Sequence, residues 1–156
     1  MTPRKVVVDT DVILDHLTGE VSGAGGARSI LRQAMSTFFC YTTVFNVIEL
    51  FEMCEDQRQR RAVENALGAL KILGLNGKSG RAVGSVVRKM RSSGLRDIDA
   101  LIGGLCVESG LPLLTGQGRS FRGVKSLRVL KAAEFSRSRP TGNRLKRSVK
   151  PRMSDS

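Results

Sequence analysis

The 156-residue chain has no tryptophan and one tyrosine, and aromatics make up 4% of it, so its core must be aliphatic, built from Leu, Val, Ile and Ala. Its single histidine, His16, leaves no His/Ser or His/Cys arrangement for nucleophilic catalysis. With no evident catalytic partner, His16 reads as a surface or capping residue. The three cysteines (Cys40, Cys54 and Cys106) are widely spaced in apolar runs, without a CxxC or a Cys/His pair. They read as buried reduced thiols of a cytosolic protein, not as a disulfide framework or a zinc site. No run approaches the roughly 18 apolar residues of a membrane span. Asp9, Asp11 and Asp15 break the apolar stretch after Arg4-Lys5, which removes a signal-peptide core. A cytoplasmic protein without membrane contact is expected. No internal repeat is present, and the glycine-rich turn at residues 23–26 is too short and misplaced for a nucleotide loop.

Positive charge is plentiful. The chain carries 26 Lys and Arg against 14 Asp and Glu, a net +12. Half of that excess lies in residues 136–156, with seven basic residues and one acid; residues 1–135 hold 19 and 13. An excess of this size attracts polyanions, nucleic acid foremost. Ordinary solubility is the common alternative, but a charge this high in so short a chain favours a phosphate-bearing partner. The length allows one domain, expected over residues 1–135, followed by a basic tail over 136–156 with too few apolar residues to pack.

Hydrophobic patterning predicts alternating strands and helices. Residues 5–8 are β-branched and read as a strand buried on both faces. A short helix over 11–17 is stopped at Gly19, and a second helix runs over 27–35. A strand covers 37–42. Helices follow over 44–54, apolar on most sides, and over 57–70, with one charged face. A short strand at 72–75 and a basic helix over 79–92 precede the apolar helix Asp97–Ser109, ended by Gly110. Strands at 111–115 and 127–130 close the domain. This alternation implies an α/β fold with a parallel sheet.

Three acids fit poorly with purely structural roles. Asp9 closes the first strand, where ligands bind in open parallel sheets, although it could instead cap the next helix. Glu49 forms a narrow polar stripe with Asn46 and Glu52 on an apolar helix; a solvent-facing stripe is the plainer reading. Asp99 heads a helix whose same face carries Ile102, Gly103 and Cys106, so it points inward or toward a site at the helix edge. Asp97, about 200° away, looks like the cap of that helix. The pair Gly103-Gly104 lowers helix propensity and suggests close approach of another backbone. Three acids from three elements converge only if a cation neutralises them. All-oxygen ligands suit Mg²⁺ or Mn²⁺, and with a basic surface the implied reaction is phosphodiester hydrolysis by a metal-activated water.

Taken together, these residues resemble the PIN-domain family. The likeness rests on Val6-Val7-Val8-Asp9-Thr10-Asp11, on Val47-Ile48-Glu49-Leu50, and on the basic helix at Arg88 to Arg91 with Gly94. It continues through Asp99-Ala100-Leu101-Ile102 and Leu113-Leu114-Thr115 to Phe121. It covers about residues 5–131. The resemblance implies a three-layer α/β/α sandwich with a central parallel sheet and Mg²⁺- or Mn²⁺-dependent endoribonuclease activity of the VapC toxin type. It implies Asp9, Glu49 and Asp99 as catalytic metal ligands, Asp11 as an auxiliary polar group, and Thr10 and Thr115 as orienting residues. It also implies a homodimer held inactive by a VapB-like antitoxin.

The chain departs from the family where a fourth acid is usual. Gln117 and Ser120 stand there, which puts a second metal in doubt; Asp97 is a candidate substitute, although helix geometry points it away from Asp99. Two other readings compete. A haloacid-dehalogenase-like phosphatase shares an apolar strand followed by DxDx(T/V), as in Asp9-Thr10-Asp11-Val12-Ile13. A non-catalytic binder of RNA, or of antitoxin and operator DNA, would need no fourth acid.

Overall fold

A computed structural model of the chain describes residues 4–21, 29–91 and 94–137. Five strands form one sheet: β1 (Lys5–Val8), β2 (Phe39–Thr43), β3 (Lys71–Leu73), β4 (Leu113–Thr115) and β5 (Val129–Lys131). Their order is β3-β2-β1-β4-β5, and every pair is parallel. The helices are α1 (Thr10–Val21), α2 (Ile30–Thr37), α3 (Val44–Glu52), α4 (Gln57–Leu67), α5 (Gly77–Met90), α6 (Asp97–Ser109) and α7 (Ala132–Arg137), with a 3₁₀ turn at Gly118–Phe121. The three-layer α/β/α sandwich with a central parallel sheet is as expected.

The β1 valines show why the sheet is central. Val6 and Val8 face one layer, with α1, α2 and α4. Val7 faces the other, with Ile102 and Cys106 of α6 and Phe121. All three valines are fully buried, as the continuous β-branched run predicts. β2 lies on one side of β1 and β4 on the other, so the strand order reverses there. Such a reversal opens a crevice at the carboxyl ends of the strands. The ladder continues one residue past β1, where the Asp9 N–H donates to the Leu114 carbonyl at 3.0 Å. Asp9 is thereby fixed at the mouth of that crevice.

Several local expectations change. Helix α1 does not stop at Gly19 but continues to Val21; one glycine lowers helix propensity by only about 1 kcal/mol. His16 is buried rather than on the surface and shares a 2.7 Å hydrogen bond with Ser29, the N-cap of α2. Helix α3 is less buried than its composition suggests, with Ile48 and Met53 exposed. The closing helix α7 is not foreshadowed in the sequence; its six residues are too few to show a periodicity. Asp97 is not the cap of α6. It is the first helical residue and exposed, and the N-cap Arg96 makes no side-chain capping bond. The glycine-rich turn at 23–26 and the tail beyond 137 lie outside the described residues.

Cys40 and Cys106 are buried and Cys54 is half-buried, all as free thiols. Burial pushes the Cys40 thiol up to about 11 and the Cys106 thiol to about 12, so neither is a nucleophile at neutral pH.

The two glycines of α6 have different neighbours. A Cβ at Gly103 would meet the Phe121 ring at 3.6 Å, an ordinary contact. At Gly104 it would press on Val83 Cγ1 at 3.2 Å and Val87 Cγ2 at 3.3 Å of α5. The close approach is therefore to the valine side chains of α5 more than to another backbone. Replacing Gly103 by Ala should raise stability by about 0.5–1 kcal/mol through helix propensity. Gly104→Ala should gain less or lose stability, and Gly104→Leu should lose about 1–3 kcal/mol by overpacking. Urea unfolding of the three variants reads this order directly. An equal gain from both alanines would refute the tight α5–α6 packing.

Candidate active site

A cleft of about 180 Å³ opens at the carboxyl end of β1. Its polar lining comprises Asp9, Thr10, Asp11, Glu49, Arg96, Asp99 and Gln117. Leu14 and Met53 complete the wall. The structure thus brings together the three acids expected as catalytic, along with Thr10, Asp11 and Gln117. Thr115 is fully buried beneath them. Asp97 and Ser120 are exposed and do not line the cleft, so neither supplies the fourth acid.

Asp9 is held by donors from three elements. Its Oδ1 accepts the Thr10 N–H at 2.8 Å, the first amide of α1, where helix geometry favours negative charge. The same oxygen accepts Asn46 Nδ2 at 3.1 Å. Its Oδ2 accepts the Thr115 hydroxyl at 2.8 Å. Thr115 has one proton to give, so its 3.5 Å approach to Asp11 Oδ1 is marginal by comparison.

Asn46 is the residue that sequence reasoning missed. It is fully buried on α3, with its Oδ1 accepting the Thr43 N–H at 3.1 Å. A backbone N–H can only donate, so the amide nitrogen must face the other way. It donates to Asp9 Oδ1 and, at 2.9 Å, to Thr10 Oγ1. Thr10 then turns its own proton to Glu49 Oε1 at 2.8 Å. One relay from the β2–α3 junction therefore orients two of the three acids. The available signal was an asparagine inside an apolar helix, one turn before the glutamate.

Asp11 crosses the crevice to β4, where its Oδ2 accepts the Gly116 N–H at 2.8 Å. A Cβ at Gly116 would stand 2.6 Å from that oxygen, so any larger residue after Thr115 would displace the Asp11 carboxylate. On α6, Asp99 is gripped by Arg96, with Nε donating to Oδ2 at 2.9 Å and a terminal nitrogen to Oδ1 at 3.0 Å. The same guanidinium approaches Glu49 Oε2 at 4.0 Å. Arg96 was a second omission. It is 65% exposed and lies at an N-cap, where nothing in the local sequence singles it out.

Electrostatics set the acids apart. Burial pushes the Asp9 carboxyl up to about 6; the charges of Asp11 and Asp99 add to this, against the bonds from Thr115 and Thr10. Asp11 is also raised, chiefly by burial. The donor set therefore suits a hard divalent cation: all its atoms are carboxylate oxygens, and two of its acids resist carrying their charges unaided. Among the described residues, however, no three acids are drawn close enough to share one ion as they stand. Arg96 occupies Asp99 with both of its oxygens engaged.

These features define an open α/β domain with an acidic cleft at the reversal of strand order. The PIN domain family model matches residues 6–127, and the chain belongs to that family. Solved structures with the same fold include VapBC2 from Rickettsia felis bound to a promoter DNA fragment. It has 13% identity and a TM-score of 0.66, over 81% of this chain and 98% of that one. DNA-bound VapBC from Salmonella typhimurium has 16% identity and a TM-score of 0.65, over 83% and 98%. VapBC-1 from nontypeable Haemophilus influenzae has 15% and 0.65, again over 83% and 98%. No protein with a curated description matches the sequence.

The raised Asp9 carboxyl fixes a pH dependence for the metal-free protein. Its native value of about 6 exceeds the ordinary 3.8, so the folded state holds that proton more tightly. Stability contributed by the neutral acid is present in full below pH 4 and is lost as pH rises through 6. At neutral pH, ionised Asp9 costs on the order of 3 kcal/mol. Asp9→Asn keeps the acceptor for Thr10 and Asn46, and Thr115 can reverse its hydroxyl to accept the new amide. In EDTA the variant should melt above the parent at pH 7.5, with the gap closing toward pH 4. A variant less stable than the parent at pH 7.5 would contradict the unfavourable buried charge.

Proposed function

We propose that the chain is a metal-dependent endoribonuclease, the toxin of a VapBC-type pair. The observation that carries this reading is the convergence of Asp9, Glu49 and Asp99 in one cleft at the carboxyl end of β1. Family membership and a fold shared with VapBC complexes support it. Family membership also sets the phosphatase alternative aside.

Asp9, Glu49 and Asp99 would hold Mg²⁺ or Mn²⁺. When bound, that ion supplies charge neutralisation for the phosphodiester and lowers the pKa of a water. The protein's own groups do the remaining work. Asn46 and Thr115 keep Asp9 from turning, and Thr10 does the same for Glu49. Asp11, raised by burial, is suited to take a proton from an attacking water. Arg96 must leave Asp99 for the cluster to close on a cation, and its exposed guanidinium can then pair with a phosphate. A VapB-like antitoxin and a homodimer complete the proposal, with α1, α2 and α4 as candidate contact surfaces.

One pair of observations favours a second reading. Gln117 replaces the usual fourth acid, and Arg96 already neutralises Asp99. Both would suit a domain that binds nucleic acid or antitoxin without cutting.

The deciding experiment incubates antitoxin-free protein with mixed-sequence RNA in Mg²⁺, in Mn²⁺ and in EDTA, beside Asp99→Asn. Cleavage that requires metal and vanishes in the variant is the expected result. Asn46→Ala, which removes the relay without touching the acids, should retain activity reduced by about 10–100-fold. No cleavage in any metal, with RNA binding intact, would favour the binder.

The resting arrangement makes its own prediction. An exposed ion pair is worth only about 1 kcal/mol, even with two hydrogen bonds. Arg96→Gln should therefore tighten Mn²⁺ binding by roughly fivefold, as read from free Mn²⁺ by electron paramagnetic resonance. Weaker binding in the variant would mean that Arg96 holds Asp99 in place for the ion.

A further inference from the structure

Beyond the Gly116–Gly118 turn lies a second, larger hollow of about 630 Å³. Phe121, Val124 and Val129 contribute to its apolar floor, and no acid among the described residues lines it. Arg119, Arg122, Lys125 and Lys131 stand around it, all of them exposed. None of the four has an ion-pair partner among the described residues. Gly116 and Gly118 border this hollow while Gln117, between them, borders the acid cleft. The two concavities are therefore neighbours across a three-residue turn.

We propose that this hollow is the track for the sugar-phosphate backbone of a single RNA strand, which passes over the Gly116–Gly118 turn into the acid cleft. Where the strand goes rests on reading that cleft as a phosphodiesterase centre; the binding itself does not.

Four exposed cations without acids among them in one concavity make a positive potential that favours an anionic ligand. An acidic peptide would satisfy the same charges. The turn, however, delivers its occupant to the carboxylates, where a strand bearing a phosphate at every residue has a use for a bound cation. The only aromatic ring on the floor, Phe121, is 2% exposed, so there is no platform on which bases could stack. Binding should therefore be steeply salt-dependent and tolerant of sequence.

The test measures fluorescence anisotropy of a short labelled single-stranded RNA in EDTA, across a series of KCl concentrations. The parent chain is compared with R119Q/R122Q/K125Q and with the control K78Q/R81Q/R88Q, which removes as many exposed charges from α5. The hollow variant should bind at least about tenfold more weakly at low salt. Its slope of log K against log [salt] should shrink by about 2, at roughly 0.7 for each phosphate that is no longer neutralised. The control should keep most of the parent's slope.

Equal weakening in both variants would replace the track with diffuse surface charge and overturn the proposal, as would no RNA binding by the parent. Binding of polyglutamate that depends on these cations, with RNA binding unaffected, would assign the hollow to a protein partner instead. The two readings fail separately. A parent that cuts RNA in Mg²⁺, and a hollow variant that binds and cuts equally well, would remove the track and leave the nuclease. A parent that never cuts, with RNA binding still abolished in the hollow variant, would do the reverse.

Discussion

Placing a carboxylate at the buried end of the central strand is the constraint on which the rest of the site depends. Asp9 stands where strand order reverses, between β2 and β4, with little solvent to support its charge. It must be held by donors, and each one fixes a neighbour. Thr115 has to end β4, and a glycine after it lets the Asp11 carboxylate lie against that backbone. Asn46 has to sit in the first turn of α3, anchored to Thr43 at the end of β2. Helix α1 has to begin at Thr10 so that its first amide meets Oδ1. The site is thus a consequence of how three parallel strands finish, and the helices inherit their starting points from it.

Much of this was legible in the sequence because the signals were local. A β-branched run ending in an acid is a buried strand with a carboxylate at its end, whether that acid caps the next helix or faces a cleft. Asp97–Ser109 declared both ends, with an acidic first turn and a Gly110 that adopts the left-handed conformation. The polar stripe on α3 was read less well. Residues three apart drift by about 60° around a helix, so Asn46, Glu49 and Glu52 do not share one environment. Asn46 is buried, Glu49 half-buried at the cleft and Glu52 exposed. The solvent reading holds for Glu52 and fails for Asn46, and only packing could divide them.

Arg96 could not have been found that way. Its role depends on α3 arriving from across the fold as well as on Asp99 three residues ahead, and only the second of these lies within its own segment. His16 is a similar case: a polar residue on an amphipathic helix is placed in or out by a few tens of degrees. Its bond to Ser29 joins two helices whose relation the sequence does not state.

The missing fourth acid and the presence of Arg96 bear on one balance. A cleft with Asp9, Asp11, Glu49 and Asp99 already carries more negative charge than burial favours, and burial raises the first two. Gln117 at the rim adds a polar group without adding to that excess. One guanidinium can then hold Asp99 and lie near Glu49, which leaves Asp9 and Asp11 to their hydrogen bonds. Arg96 is mostly exposed, so this resting state is shallow, worth about 1 kcal/mol and weakened further by salt. On the proposed function, a divalent ion would carry twice the charge into the less solvated part of the cleft, where the attraction is stronger. A cluster with fewer acids can therefore rest with its own arginine in place and leave that arginine weakly enough held for a cation to displace it.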